Sequence, residues 1–87
     1  IQGHSDSKAI SSRLAARYPS NWELSSARAA AAVRVLIQSG IGEQRLQAVG
    51  YADTRPLVKE VDEDSRQVNR RIEVLLYPNF ATQELDR

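Results

Sequence analysis

The side chains able to do chemistry in this chain of 87 residues are few. His4 is the sole imidazole, it stands in Gly3-His4-Ser5-Asp6, and there is no Cys. With neither a second His nor an H-E-x-x-H spacing, His4 and Asp6 make at most half a metal site, so no metal is expected. The plainer reading is a structural His at a strand end. Ser, His and Asp adjoin one another here, but neighbours on a tight loop cannot adopt the geometry of a hydrolytic triad. Phosphate-cradling loops of the G-x-x-x-x-G-K-[ST] or G-x-G-x-x-G kind are absent, which removes nucleotide binding. No cofactor is called for, and an enzyme is not expected.

What remains is a set of polar residues at element ends. Asp6 follows a strand end, Asn21 opens a helix, Arg28 lies two turns further along that helix, and Asn69-Arg70-Arg71 leads into the last strand. Ligands of α/β sheets gather where strand ends meet helix termini, so an acid, an amide and two guanidiniums would suit a small zwitterion. An internal Asp–Arg ion pair with a helix cap would use the same residue types, and spacing leaves both readings open. Ten of the twelve basic residues are Arg, whose planar fork recognises carboxylates better than Lys does.

These residues need elements to hold them. Ser20-Asn21-Trp22-Glu23 has the S-x-x-E shape of a capping box, and Gly40 suits a left-handed helix end, which predicts a helix from Asn21 to Ser39. Ala29, Ala32, Val33 and Leu36 form its apolar stripe; Arg28 falls on a semi-buried flank and Arg34 on the solvated face. Ile1 to Gly3 reads as the tail of a strand, Arg45 to Tyr51 as a second, and Arg71 to Tyr77 as a third that stops at Pro78. Asp53 to Lys59 is a loop, and Asp62 caps a second helix through Asn69. Glu60 to Asp64 is read as no more than an acidic helix start. The stretch from Ser5 to Ser20 is long for a connection, so it is functional or holds a short helix around Ile10 to Arg17. Phe80 to Arg87 reads as a frayed tail. Strands alternating with helices predict βαβ units and a mixed sheet covered by helices.

The chain has room for one core. Its 41% hydrophobic and 26% charged residues are those of an ordinary folding domain. No apolar run is long enough to cross a bilayer, and the first residues lack the grammar of a signal peptide. A net charge of +1 gives no footprint for nucleic acid. Opening in mid-strand, the chain predicts a sheet short of partners and an apolar surface left uncovered.

Taken together, Gly3-His4-Ser5-Asp6, Asn21-Trp22-Glu23-Leu24-Ser25-Ser26-Ala27-Arg28-Ala29, Gly50-Tyr51, Pro56 and Asn69-Arg70-Arg71-Ile72-Glu73 resemble the OmpA-like peptidoglycan-binding domain. The order follows that family's G-H-[ST]-D, N-x-x-L-S-x-x-R-A, G-x-x-x-P and N-R-R-[VI]-E. The resemblance spans residues 1–77, leaving 78–87 as a C-terminal tail, and it implies an α/β fold of the α+β sandwich kind, here without the family's first strand and helix. It further implies non-covalent binding of peptidoglycan through the diaminopimelate of the stem peptide. Asp6 and Arg28 would hold that residue, Asn21 and Arg70 would line the pocket, and Leu24 would pack behind them. The segment Pro19 to Ser25 is most similar to the B subunits of flagellar motor stators, the MotB, PomB and MotD group. That likeness implies a dimeric periplasmic domain of an inner-membrane protein with a channel-forming A subunit as partner. Envelope scaffolds of the outer membrane and stator-like anchors such as those of Zorya defence systems share parts of the pattern. Ser5 stands where Thr is commoner, and the loop after Asp6 is longer and lacks the usual Gly.

Overall fold

The computed structural model describes residues 1–77, so the expected tail lies outside the described residues. Strand β1 (Gln2–His4) leads through helix α1 (Ser12–Ala15) to the long helix α2 (Asn21–Gln38); then come strand β2 (Val49–Gly50), helix α3 (Glu63–Asn69) and strand β3 (Arg71–Glu73). The sheet is mixed, ordered β2-β1-β3, with β1 parallel to β2 and antiparallel to β3. Helix α2 lies across all three strands.

Both ends of α2 follow from local chemistry. Ser20 Oγ accepts from the Trp22 amide at 3.1 Å. The expected capping box is only half formed, because the Glu23 carboxylate takes the Ser20 hydroxyl. The reciprocal box belongs to α3, where the Asp62 carboxylate accepts from Ser65 N–H at 2.8 Å and Ser65 Oγ accepts from Asp62 N–H at 3.0 Å. At the far end of α2, Gly40 has φ of +103°, and the amides of Gly40 and Ile41 return to the carbonyls of Ile37 and Leu36, which is a Schellman closure.

Two expected strands are shorter than their β-propensity suggests. Between Arg45 and Tyr51 only Val49–Gly50 is strand, and Glu43–Arg45 forms a 3₁₀ turn closed by Arg45 N–H on the Gly42 carbonyl. Beyond Glu73 the ladder stops at its pairing with Gln2, leaving Val74 to Tyr77 exposed. A strand is as long as its neighbour, and β1 contributes three residues. Among the described residues, Ile1, Leu36, Ile41, Val49 and Leu75 flank a groove of about 880 Å³ whose lining also includes Gln2, Gln44, Arg45 and Gln47.

Helix α2 sits on the sheet through small residues. An added Cβ on Gly3 would lie 2.0 Å from the Ser25 carbonyl oxygen, and one on Gly50 would lie 2.1 Å from Ser26 Oγ. Ser25 and Ala29 are both fully buried there, while the rest of the expected stripe, Ala32, Val33 and Leu36, is half-buried. Ser25 Oγ donates to the Trp22 carbonyl at 3.2 Å and accepts from Ala52 N–H at 3.0 Å. Ala52, at φ +52°, in turn accepts from Ser5 N–H at 2.8 Å. Among the described residues the fully buried hydrophobic side chains are Ala29 and Ala52, whereas His4, Ser5, Asp6, Ser25 and Asn69 are buried polar ones. Hydrogen bonding rather than apolar volume specifies the centre of this fold.

His4 is 2% exposed and stacks on Tyr51, with ring centroids 5.3 Å apart, while Arg55 covers the other ring's face at 4.1 Å. Its Nε2 lies 3.2 Å from Glu73 Oε2, but neither ring nitrogen is aligned for a hydrogen bond. Burial, followed by the field of Arg71, pushes the His4 pKa below 6.5, and the Glu73 carboxylate opposes that shift only in part. At the strand end His4 is thus buried and packed against Tyr51.

Two outcomes follow. Gly3→Ala, which drives a methyl into the α2 backbone, should cost about 2–3 kcal/mol in urea unfolding. Because the unfolded chain binds a proton near pH 6.5 that folded His4 refuses until lower pH, stability should fall as pH drops below about 6.5. Unfolding curves between pH 5 and 7 should show that slope in the wild type and a flattened one in His4→Gln; equal slopes would refute it.

Candidate functional site

A groove of about 450 Å³ opens where the β1 exit, the start of α2 and the start of β3 meet. Asp6, Asn21, Leu24, Arg28 and Arg70, the five residues singled out in the sequence, all line it. Each arrives from a different constraint. Asp6 is fixed two residues beyond β1 by the Ser5–Ala52 bond, and Asn21, Leu24 and Arg28 share one side of α2 at i, i+3 and i+7. Arg70 follows α3 directly, its amide returning to the Arg66 carbonyl.

Asp6 is 6% exposed, and both of its oxygens are used. Oδ1 accepts from Lys8 N–H at 3.0 Å, turning the chain, and Oδ2 pairs with Arg70 Nη1 at 3.1 Å. The internal Asp–Arg pair that the sequence left open does form, with Arg70 rather than Arg28. Glu63 holds the other terminal nitrogen of Arg70, so this guanidinium is shared between two carboxylates. That contact, and then Arg66 at 2.9 Å, holds the Glu63 pKa below the usual glutamate range.

Arg28 differs. It is half-buried, as its helical position predicts, and it makes no ion pair with any described residue. A guanidinium in a groove without an acceptor is a ready donor to an incoming carboxylate. Asn21 has a role the sequence did not show: its Nδ2 donates to the carbonyls of Lys8 at 3.2 Å and Asp6 at 3.4 Å, clipping the loop to α2. Leu24 supplies apolar wall.

The long loop supplies the opposite wall. Lys8, Ala9 and Ile10 line the groove, followed by Ser11 and Leu14 around the short helix α1. That helix, expected over Ile10 to Arg17, is four residues long, capped by Ser11, whose carbonyl receives the Ala15 amide at 2.9 Å. Lys8 adds a cation and Ile10 and Leu14 add apolar surface. The groove thus offers one acid already paired, two cations without ion-pair partners among the described residues, and a greasy floor. Such a lining suits an amphoteric ligand with a short aliphatic chain and at least one carboxylate.

Asn69 was passed over in the sequence as a junction residue, yet it is fully buried and uses all its hydrogen-bonding capacity. Its Oδ1 accepts from the amides of Leu57 at 2.9 Å and Val58 at 3.2 Å, and its Nδ2 donates to the Val58 carbonyl at 3.0 Å and to Glu60 Oε2 at 2.9 Å. Arg71, two residues on, is likewise structural, bonding Glu73, the Asn69 carbonyl and the Arg55 carbonyl. No motif marks Glu60, and only its place in the fold shows what it touches. Among the described residues no group of three or more His, Asp or Glu side chains could hold a metal ion.

Three relatives bear on this arrangement. The chain is 40% identical to "Uncharacterized protein YtxE" of Bacillus subtilis over 83 residues, which is 94% of this chain and 33% of the relative. It is 32% identical over 84 residues to "Motility protein B" of the same organism, covering 95% of this chain and 31% of that protein. A 53-residue stretch, 61% of the chain, is 42% identical to 16% of "Outer membrane porin F" of Pseudomonas fluorescens. The chain thus spans about a third of the length of the first and second of these. Residues 1–70, which include every residue of the groove, match the OmpA family, and the chain belongs to that family.

Proposed function

We propose that this domain binds peptidoglycan non-covalently, taking the diaminopimelate of a stem peptide into the groove between the Asp6 loop and α2. The observation that carries the reading is Arg28, a half-buried guanidinium with no ion-pair partner among the described residues, in one groove with Asp6, Asn21, Leu24 and Arg70. Arg28 takes the free carboxylate of the ligand. Asp6 offers its paired carboxylate to the ammonium, and Arg70, retained by Glu63, adjusts between the two acids. Ile10, Leu14 and Leu24 receive the methylene chain. The role is one of binding rather than catalysis.

Likeness to "Motility protein B" over most of the chain favours a wall anchor of a motor stator. In that setting the domain is periplasmic, belongs to an inner-membrane protein, works as a homodimer, and is joined through its remaining chain to a channel-forming A subunit. The stretch shared with "Outer membrane porin F" favours a second reading, an envelope scaffold with the same wall contact. A stator-like anchor of a non-flagellar system, such as Zorya defence, would use the groove in the same way.

Two measurements test the groove. Arg28→Lys keeps the charge but loses the planar fork, so sedimentation with peptidoglycan should weaken roughly ten-fold. Arg34→Ala, on the exposed face of the same helix, should leave binding intact and change stability by less than about 0.5 kcal/mol. Undiminished binding by Arg28→Lys would refute carboxylate recognition by this residue.

The second measurement compares wall chemistries. Lysine-type stems keep the ammonium but lack the second carboxylate, so Arg28 would stay unpaired and diaminopimelate-type walls should be preferred by about ten-fold or more. Asp6→Ala should abolish binding. Its stability cost should be modest, about 1 kcal/mol, because Arg70 keeps Glu63 and part of its solvent contact. Equal sedimentation with both walls, or a collapse of the fold in Asp6→Ala, would overturn the pocket.

A further inference from the structure

The Asp6 loop is held at its outer end by a residue far away in sequence. Glu60 Oε1 accepts from Ser7 Oγ at 2.7 Å and from Ser7 N–H at 3.2 Å, while Oε2 accepts from the same amide at 3.1 Å and from Asn69 Nδ2 at 2.9 Å. Those donors, Ser7 foremost, hold the Glu60 pKa below the usual glutamate range. Ser7 directly follows Asp6. The next amide, Lys8 N–H, already belongs to Asp6 Oδ1. Fixing Ser7 from outside therefore fixes the peptide that aims the Asp6 carboxylate.

From this we infer that Glu60 is a positioning residue of the groove, a latch that sets the Asp6 loop in its ligand-ready shape without touching the ligand. The inference rests on the peptidoglycan reading of that groove. Without Glu60, the Ser7 amide and hydroxyl turn to water, and beyond the Ser5–Ala52 and Lys8–Asp6 bonds the loop is tied to the rest of the fold by the Asn21 clip and the Asp6–Arg70 pair. Ligand binding must then order the loop at its own expense, which lowers affinity.

The amide can replace the acid in one orientation only. A Gln oxygen in the place of Oε2 keeps the Ser7 amide and Asn69 Nδ2, and its nitrogen in the place of Oε1 can donate to Ser7 Oγ, which accepts as well as donates. The opposite orientation would set that nitrogen against Asn69 Nδ2, and Asn69 cannot turn over, because its Oδ1 is engaged by Leu57 and Val58. With the charge and the second bond from the Ser7 amide lost, Glu60→Gln should fall between wild type and Glu60→Ala.

The test uses the full chain with purified diaminopimelate-type peptidoglycan as probe. Measured together are sedimentation affinity, melting temperature and hydrogen exchange at the Ser7 amide. Glu60→Ala should bind roughly ten-fold more weakly, with Ser7 exchange accelerated and melting within about 5 °C of wild type. Should the Ala variant melt far lower, the Gln variant carries the comparison, with an intermediate affinity expected. Wild-type affinity in both variants overturns the latch alone. Failure of the wild type to bind either wall chemistry overturns the groove's reading, and the latch with it.

Discussion

The fold depends on how closely α2 can approach the sheet. Two glycines on adjacent strands, Gly3 and Gly50, leave no side chain between strand backbone and helix, and Ser25, Ser26 and Ala29 present the small face that fills the gap. Because the contact is backbone against backbone, it fixes rotation of the helix as well as its distance. That rotation decides which side chains face the Asp6 loop. Arg28 follows Ala27 and precedes Ala29, so a helix seated on Ala29 carries the guanidinium at its flank, neither buried in the interface nor lost to solvent.

A close helix with small residues leaves little apolar volume, and the structure makes this up with hydrogen bonds. Ser25 reaches across to Ala52, Ala52 to Ser5, and Asn69 to the 57–60 segment. Each buried polar side chain in that series has its partners supplied, which is the condition for a polar centre to specify one arrangement. His4 is the exception, held by stacking on Tyr51 while its nitrogens go without hydrogen bonds. The same bonds that close the centre also hold the groove, so site and fold are not separable parts of this molecule.

What the sequence disclosed follows the range of the forces involved. The bounds of α2 were legible because Ser20 and Gly40 act within a turn of themselves. The lengths of β2 and β3 were not, since propensity does not show where a neighbouring strand stops: β3 ends where Glu73 pairs with Gln2. Spacing alone left Asp6, Asn21, Arg28 and Arg70 as an undecided set; the motif resemblance named them with Leu24, and all five share the groove. The partner of Asp6 was invisible, because both arginines were available and only the path of the chain after α3 selects Arg70. Glu60 and Asn69 were hidden for the same reason, one reading as an acidic helix start and the other as a junction.

Strand β1 occupies the middle of the sheet, with a parallel neighbour on one side and an antiparallel one on the other, and Asp6 leaves its end after one further residue. The bonds of the antiparallel ladder run square across the strand and those of the parallel ladder slant across it, so a pull exerted from Asp6 along the chain meets them largely sideways. Bonds so arranged share a tension and must yield together, whereas a hairpin pulled from its open end parts them one at a time. Mechanically, Asp6 is attached to the sheet in shear, which resists a pull better than a ladder opened from one end.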